Sequence, residues 1–327
     1  MPSPLPKANK LLLFERAIPS YVPITSIPRE YMPVLIPCAG AYFRKDNEAE
    51  ILSQHIRLGP FSLWLHDIHA REDIVVCPFV PYHLWTLHSL YEDSLRLKFP
   101  QAPDFLLEEK EYHLFNLPSS LFKIPIIAET KVLSFHINIL PEALTDLVTL
   151  YPGLTPLANK KAEGIGSINE HPYHSNALCD FLVQELLSCR YTDSIAHTYL
   201  FRICIDIFLN IAAQEEAADS PMLLSSVLHA DKLHLVFRYL AEHPYKIPST
   251  FQLSLMFGLS IAKLEQGFQQ LFAIPLEQFI HMVRMMLVYH LLQNNNLTLP
   301  MIAEVVDFDD VDEMLLQAKE YYGGKLI

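Results

Sequence analysis

The first 140 residues carry short segments in which apolar and polar positions alternate, which is the period of a β-strand. The clearest segment, 132–140, has Leu133, Phe135, Ile137 and Ile139 on one face and Ser134, His136 and Asn138 on the other. Similar short runs, bounded by Pro, Asp or Glu, occur at 61–68, 73–80, 82–90 and 111–118. The spacing predicts a half-buried strand at 132–140 and an N-terminal β-barrel or jelly-roll-like domain.

Beyond this part the pattern changes to the helical period. A glycine-bearing stretch at 157–175 predicts a hinge loop, and helices are predicted at 176–189 and 193–217. The second helix is apolar nearly all round, and its charges Arg202 and Asp206 are four residues apart, so they can pair on one face. Its apolar run falls short of the ~20 residues that span a bilayer. We therefore expect a helix that is buried or lies at a homodimer contact.

The C-terminal part has regular helix boundaries. Ser249 and Gln252 have the spacing of a capping box, and Gly258 can end the helix that this box begins. Ser260 is then predicted to cap a second helix. Helix, tight glycine turn and helix, in that order, predict a helix-turn-helix motif.

The same signal repeats after a long predicted helix at 276–293. Thr298 is predicted to cap the helix that begins the repeat, and Asp309 is predicted to cap a final helix that ends near Tyr322. The sequence therefore predicts two helix-turn-helix motifs joined by one long helix.

Composition and charge narrow the class of protein. Apolar residues make up 51% and charged residues 19%, which excludes extensive disorder. The formal charge of -13 has the wrong sign for indiscriminate attraction to nucleic acid or anionic membranes, so any DNA binding requires a local patch. The five cysteines form no CxxC pair, and the N-terminus has no signal-peptide pattern. We expect a cytoplasmic protein that does not associate with membranes.

Several C-terminal features follow the order found in AraC-type transcription regulators. They are the GLS turn at 258–260, the KL..GF..LF run at 263–272, Arg284 in the long helix, Leu291-Leu292, and IAE.V.F at 302–308. Residues 231–310 thus resemble the paired helix-turn-helix domain of that family. The resemblance implies a cupin-like N-terminal sensor for a small effector, a dimerisation region, and second helices that enter the major groove. We expect Arg284 to be structural and to pair with an acid inside the domain.

The resemblance also implies which residues contact DNA. The candidates are Ser260, Lys263, Gln266, Gln269 and Gln270. Gln can pair with adenine, and Lys can neutralise a phosphate. A solvated helix face is the alternative, because the family usually has more basic residues in this run. In the sensor, Trp64 and Trp85 are candidate effector contacts, although aromatic residues on strands are usually core.

The second motif departs from the family pattern. Asp307 stands where the family has a turn glycine, and four more acids follow: Asp309, Asp310, Asp312 and Glu313. Acids at the start of a helix complement its positive dipole end, but they also occupy the position that would attract a phosphate. Over 231–327, seven basic residues face eleven acidic ones. We predict that this motif does not read DNA in the manner of the family.

These patterns predict an α+β chain with a β-rich cupin-like sensor at 1–140, a helical linker and dimerisation region at 141–228, and an AraC-like paired helix-turn-helix domain at 229–327. The predicted function is DNA-binding transcription regulation in response to an unknown small effector. A diverged relative that uses its acidic C-domain for protein contacts is the alternative. A metal-dependent cupin enzyme is the third possibility, but the chain has no His-x-His pair, phosphate loop or GxSxG elbow. We therefore predict no metal, no cofactor and no catalytic residue.

Overall fold

The computed structural model describes residues 8–15, 26–97, 105–162, 164–218, 229–245, 247–293 and 296–324. They group into two compact units. The first comprises residues up to 175 together with 185–197, and the second comprises 176–184 and the residues from 198 onward. The first unit is rich in strands and the second is helical, so the predicted α+β class is confirmed. The predicted three-domain division stays a prediction.

The strands follow the alternating segments. In chain order they are β1 (Ala8–Leu13), β2 (Gly40–Lys45), β3 (Ala49–Leu58), β4 (Phe61–Ala70), β5 (Ile74–Val80), β6 (Leu84–Glu92), β7 (Leu95–Leu97), β8 (Phe105–Leu107), β9 (Glu111–Leu117), β10 (Ser120–Leu121), β11 (Ile124–Ile126), β12 (Lys131–Ile139), β13 (Gly166–Ser167) and β14 (Tyr173–His174). The five runs predicted as strands correspond to β4, β5, β6, β9 and β12, which confirms them.

Two main sheets form the first unit. The larger has the order β13-β9-β6-β12-β4-β3-β2, and β14 also pairs with β9. The smaller has the order β1-β5-β10, with β11 also on β5, and β1 runs parallel to β5. A separate pair is formed by β7 and β8. Within the described residues, the larger sheet does not close into a barrel, because its edge strands β13 and β2 do not pair with each other.

The prediction that β12 is half-buried is wrong. This strand lies in the middle of the larger sheet, between β4 and β6. Its polar side chains Ser134, His136 and Asn138 are 6%, 0% and 1% exposed. Val132 and Ser134, on that same face, line a cavity together with Val76 of the smaller sheet. The polar face is therefore interior, because a second sheet covers it.

The helices of the described chain are α1 (Pro141–Val148), α2 (Thr155–Ala158), α3 (Ala177–Ser188), α4 (Asp193–Ala218), α5 (Ala230–Glu242), α6 (Thr250–Phe257), α7 (Ile261–Phe272), α8 (Leu276–Leu292), α9 (Leu299–Val305) and α10 (Val311–Tyr321). Short 3-10 helices occur at Arg29–Val34 and Pro152–Leu154. The stretch predicted as a hinge contains β13 and β14, so pairing with β9 holds part of it at the edge of the larger sheet.

Helix α4 is buried over most of its length, as expected from its apolar surface. Ile203, Cys204 and Phe208 are all 0% exposed. Residues 193–217 have the length and composition of a membrane span, and so do α7 and α8 taken as one segment bent by 68°. Of the apolar window in α4, however, 67% is buried inside the protein, which is the pattern of a core helix. A homodimer contact through α4 stays a prediction.

A cluster of aromatic rings forms the core between α5, α7 and α8. The ring of Phe237 lies 4.5 Å from that of Phe279 and 4.8 Å from that of Phe272, measured between centroids. Phe268 contacts Phe272 at 4.7 Å. Burial of each such side chain contributes about 1.5–3 kcal/mol. These contacts fix one face of α7 against the core and leave the opposite face exposed.

Candidate DNA-reading helices and effector pocket

Helices α6 and α7 form the first helix-turn-helix motif. The Ser249 hydroxyl accepts a hydrogen bond from the Gln252 backbone at 3.3 Å, and the Gln252 side chain accepts one from the Ser249 backbone at 2.9 Å. Gly258 ends α6 with φ 61°, a left-handed conformation that favours glycine. The Ser260 hydroxyl then accepts from the Lys263 backbone at 3.3 Å, so α7 begins at the next residue. The predicted capping box, glycine turn and second cap are confirmed.

Helix α7 presents all the candidate DNA-binding residues to solvent. Its inner face is formed by Leu264, Phe268 and Phe272, each 0% exposed. The exposed polar residues are Ser260, Lys263, Glu265, Gln266, Gln269 and Gln270. Lys263 and Glu265 are the only charged residues in this set, so the main hydrogen-bonding groups of the face are the amides of its three glutamines. Its chemistry suits hydrogen bonding to base edges, and the role of each residue in DNA binding stays a prediction.

Basic residues on α5 flank this motif. Lys232 Nζ donates to the carbonyl of Gly258 at 3.1 Å, which places its ammonium group at the turn before α7. Arg238 is exposed further along α5. Lys246 lies outside the described residues. Two lysines, Lys232 and Lys263, therefore place positive charge next to the turn of the first motif.

Helices α9 and α10 form the second motif. Asp307 occupies the turn with φ 61°, the conformation that the glycine of the first motif adopts. The final helix is capped by Asp310, whose carboxylate accepts from the Asp312 backbone at 3.2 Å. The prediction that Asp309 is the cap was therefore wrong by one residue. Thr298 stands at the start of α9 as predicted, but its side chain makes no capping hydrogen bond within the described chain.

The exposed face of α10 is mainly acidic. It carries Asp312, Glu313, Leu316, Lys319 and Glu320. Three carboxylates against one ammonium group make this surface repulsive to a phosphate backbone. The exposed face of α10, at which the second motif would read bases, therefore has a net negative charge, whereas the turn of the first motif is flanked by positive charges.

One row of polar side chains on α4 holds the carboxyl ends of α7 and α10. Arg202, Asp206 and Asn210 follow at intervals of four, which places them on one face of the helix. Asn210 Nδ2 donates to the carbonyl of Phe272, the last residue of α7, at 2.6 Å. The Tyr321 hydroxyl, on the last residue of α10, donates to Asp206 Oδ2 at 2.6 Å, and Arg202 Nη1 donates to the Tyr321 carbonyl at 3.0 Å. The row spans about 12 Å along the axis of α4.

The pairing predicted within α4 is confirmed, whereas the expected pairing of Arg284 with an acid is wrong. Arg202 and Asp206 form a hydrogen-bonded ion pair, with Nη2 to Oδ1 at 2.5 Å. The guanidinium carbon of Arg284 instead lies 5.5 Å from the centre of the Phe308 ring, which is a cation–π arrangement. Among the residues that the structure describes, Arg284 has no ion pair with an acid. This contact joins α8 to the turn of the second motif, and the structural role expected of Arg284 stays a prediction.

A cavity lies between the two sheets of the first unit. Its space, including the open end, is about 750 Å³. Apolar side chains from both sheets form most of the wall, for example Val76 and Val80 of the smaller sheet and Ile68, Leu117 and Val132 of the larger one. A mainly apolar lining with a few polar groups is typical of a small-molecule site.

The polar side chains in this wall come from the larger sheet: His66, Thr86, His88 and Ser134. His66 Nδ1 is hydrogen-bonded to Ser53 Oγ at 2.8 Å, and His88 Nε2 to Ser134 Oγ at 3.0 Å. Burial, and then the neighbouring histidines, lower the pKa of His66 to about 3. The pKa of His88 is also lowered to about 3, mainly by burial. Both imidazoles are therefore neutral at pH 7.

The histidine cluster was missed at the level of sequence. His136 lies opposite His88 on β6, and Ser134 lies opposite His66 on β4. The rings of His66 and His136 are 5.2 Å apart, and Phe14 stacks on His136 at 3.9 Å. The available signal was a polar residue at alternate positions of several strands. Only the pairing of the strands shows that these positions meet in one interior layer.

The two tryptophans proposed as effector contacts lie in the larger sheet, and their role in effector binding stays a prediction. Neither is among the side chains that line this cavity. Trp64 is 0% exposed, stacks on His55 at 4.2 Å and donates its indole N–H to Ser62 Oγ at 3.1 Å. Trp85 donates to Asn116 Oδ1 at 3.0 Å. Both occupy positions in the larger sheet that suit core packing.

The described part of the chain contains no group of three or more His, Cys, Asp or Glu side chains that could hold a metal ion. Of the three neighbouring imidazoles in the cluster, those of His66 and His88 lie in the wall of the cavity.

No protein-family model and no curated protein sequence matches the chain. Solved structures that the comparison matches to this chain include ToxT from Vibrio cholerae, with 9% identity, TM-score 0.32 and coverage of 80% of this chain and 94% of that one. The AraC-like transcriptional activator CuxR has 12% identity, TM-score 0.33 and coverage of 78% and 87%. The cupin domain of Schizosaccharomyces pombe Cnp3 has 11% identity, TM-score 0.23 and coverage of 30% and 67%. At such scores, only the residues of this chain can support a function.

Proposed function

We propose that this protein is an AraC-like DNA-binding transcription regulator that reads DNA mainly through α7. In this proposal the cavity of the strand-rich unit is the site of a small effector. The observation that carries the proposal is the pair of helix-turn-helix motifs joined by α8, of which the first presents an exposed face of amide side chains beside basic residues. The cavity supports the sensor role, because its apolar wall carries a few polar side chains that could orient a small molecule.

In the proposed complex, α7 lies in the major groove of DNA. Gln266, Gln269 and Gln270 are on its exposed face, and a Gln amide can bond to the N6 and N7 edge of adenine. Lys263 at the start of α7 and Lys232 beside the turn are placed to neutralise phosphates of the flanking backbone. Two such charges give a modest electrostatic contribution, so we expect a shallow dependence of affinity on salt.

The second motif is proposed to position the first and not to read bases. Its exposed face on α10 is acidic, and the row on α4 ties the ends of α7 and α10 to one helix. An effector in the strand-rich unit would then change transcription by altering DNA affinity or the placement of the two halves of a homodimer. The homodimer, the cytoplasmic location and the absence of catalysis stay predictions from sequence.

One observation favours the alternative, in which the acidic C-domain contacts a protein. Leu316 is 56% exposed in the middle of the acidic face of α10. An apolar side chain surrounded by carboxylates is unsuited to DNA and suits a basic protein surface with an apolar centre. This alternative predicts that charge reversal on α10 abolishes partner binding and leaves α7 without a ligand.

The experiment that tests the proposal measures binding to DNA from upstream of the chain's own coding region, and to a scrambled fragment, by fluorescence anisotropy across a salt series. We expect preference for the upstream fragment. Lys263→Ala is expected to lower the salt slope by about 1 and to weaken binding to both fragments. Gln266→Ala is expected to lower the preference by about 5- to 100-fold, the range of one base contact.

Lys319→Ala is the matched control, because it removes an exposed lysine from α10 instead of α7. It is expected to leave both the affinity and the salt slope unchanged. Equal binding to both fragments, or a larger effect of Lys319→Ala than of Lys263→Ala, would overturn the proposal that the first motif reads DNA.

A further inference from the structure

The wall of the cavity contains polar atoms that lack a hydrogen-bond partner. Within the described chain, these atoms include His66 Nε2, Thr86 Oγ1 and His88 Nδ1. The residues are 1%, 0% and 9% exposed, so bulk solvent does not reach most of their surface. Buried polar groups in folded proteins are nearly always paired, and an exception at the wall of a cavity indicates a ligand-binding role.

Each imidazole is held in place through its other nitrogen. Ser53 bonds His66 Nδ1 at 2.8 Å, and Ser134 bonds His88 Nε2 at 3.0 Å. A serine hydroxyl can donate or accept, so the opposite nitrogen of each ring can accept or donate according to the tautomer. Together with the Thr86 hydroxyl, the unpaired atoms can serve a ligand group that donates, accepts or does both.

The wall offers no charge to a ligand. Among the described residues that line the cavity, none is Asp, Glu, Lys or Arg. Burial holds the pKa of both lining histidines near 3, so they supply no positive charge at pH 7. A carboxylate or an ammonium group placed here would lose its hydration without gaining an opposite charge.

We propose that the cavity binds an uncharged, mainly apolar molecule that presents one small polar group, such as a hydroxyl or a carbonyl, to His66, Thr86 and His88. The apolar wall takes the hydrocarbon part, and the three side chains take the polar group. The proposed ligand class is that of the effector. It rests on the proposed function only in the claim that ligand binding changes transcription. Binding itself is independent of whether the chain contacts DNA.

The experiment compares four ligands of equal chain length on the full chain by isothermal titration calorimetry at pH 7: 1-octanol, octanoate, octylamine and octane. We expect 1-octanol to bind and the two ions to bind at least about tenfold more weakly. Thr86→Val, which keeps the shape and removes the hydroxyl, is expected to weaken 1-octanol by about 3- to 10-fold. It is expected to leave the affinity for octane unchanged, because octane forms no hydrogen bond.

A second variant tests the location without removing a polar group. Val80→Phe fills the cavity from the smaller sheet and is expected to abolish binding of 1-octanol and octane alike. Tryptophan fluorescence of Trp64 and Trp85, which lie outside the wall, checks that each variant is folded. Octanoate or octylamine binding as tightly as 1-octanol, or undiminished binding to folded Val80→Phe, would overturn the inference.

Adding the anisotropy measurement separates the two proposals. If 1-octanol binds in the cavity while the upstream DNA is not bound, the proposed function fails and the ligand class stands. If DNA is bound with preference while none of the ligands binds, the ligand class fails and the regulator stands.

Discussion

Asp206 joins α4 to the last helix of the second motif, and its replacement is expected to destabilise the helical unit. Its carboxylate accepts hydrogen bonds from Arg202 Nε at 3.1 Å, from Arg202 Nη2 at 2.5 Å and from the Tyr321 hydroxyl at 2.6 Å. The side chains of the ion pair are 12% and 7% exposed. Asp206→Ala therefore leaves a buried guanidinium without its counter-ion, which costs about 3–5 kcal/mol.

Two spectroscopic probes assign the loss to one unit. Far-UV circular dichroism follows mainly the helices of the second unit, whereas the two tryptophans, Trp64 and Trp85, lie in the first unit. With a urea dependence of about 2 kcal/mol per molar, Asp206→Ala lowers the midpoint of the helical transition by about 1.5–2.5 M. The midpoint followed by tryptophan fluorescence is expected to stay where it is.

Three further variants test the physical reason for the loss. Tyr321→Phe removes one hydrogen bond to a charged acceptor and is expected to cost about 1.5–3 kcal/mol. Arg202→Met combined with Asp206→Leu removes both charges and is expected to restore most of the stability, because no buried ion is left unpaired. Glu320→Ala, on the exposed face of α10, is the control and is expected to change stability by less than about 0.5 kcal/mol. An Asp206→Ala variant as stable as this control would refute the reasoning.

Further predictions concern the first motif and the histidines. Ser249→Ala breaks the capping box and is expected to cost about 1 kcal/mol in urea unfolding, whereas Ser249→Asp retains a cap; equal losses would contradict this. Gly258→Ala puts a Cβ into a left-handed residue, 3.2 Å from a lysine Nζ, and is expected to cost about 1–2 kcal/mol in the same assay, more than Gly258→Asn. His66 and His88 have pKa values of about 3 when folded and 6.5 as the ordinary value, so the unfolded chain binds more protons below pH 6.5. The stability that depends on these two histidines staying neutral is complete above pH 6.5. As the pH falls towards 3, the free energy of unfolding decreases by up to ~1.4 kcal/mol per pH unit for each histidine. Tryptophan-detected urea midpoints that are equal at pH 7 and at about pH 5.5 would contradict it.

Local signals were sufficient for most of the helix boundaries. Ser249, Gly258 and Ser260 act on backbone groups three or four residues away, so their effect is contained in the neighbouring sequence. The same reasoning put the cap of α10 at Asp309 when it is Asp310, because adjacent acids offer alternative caps and only the backbone conformation selects one. The pair between Arg202 and Asp206 was also predictable, since it lies within one helix.

These local sequence signals do not predict contacts between segments that are far apart in the chain. The alternation in β12 predicted two faces correctly but not which environment each face meets, because burial depends on the second sheet. Tyr321 is 115 residues from Asp206, and no local pattern relates them.

The sequence by itself determined the class of the chain, five of its strands (β4, β5, β6, β9 and β12), the helices of the two helix-turn-helix motifs and the acidic character of the second motif, because each follows from short-range periodicity, caps and charge. Only the tertiary structure decided that the polar face of β12 lies inside, that neutral histidines line an apolar cavity, and that α4 holds the carboxyl ends of α7 and α10. The physical reason is that hydrogen bonding and burial in these places are shared between segments far apart in the chain, and their partners exist only once the sheets and helices have packed.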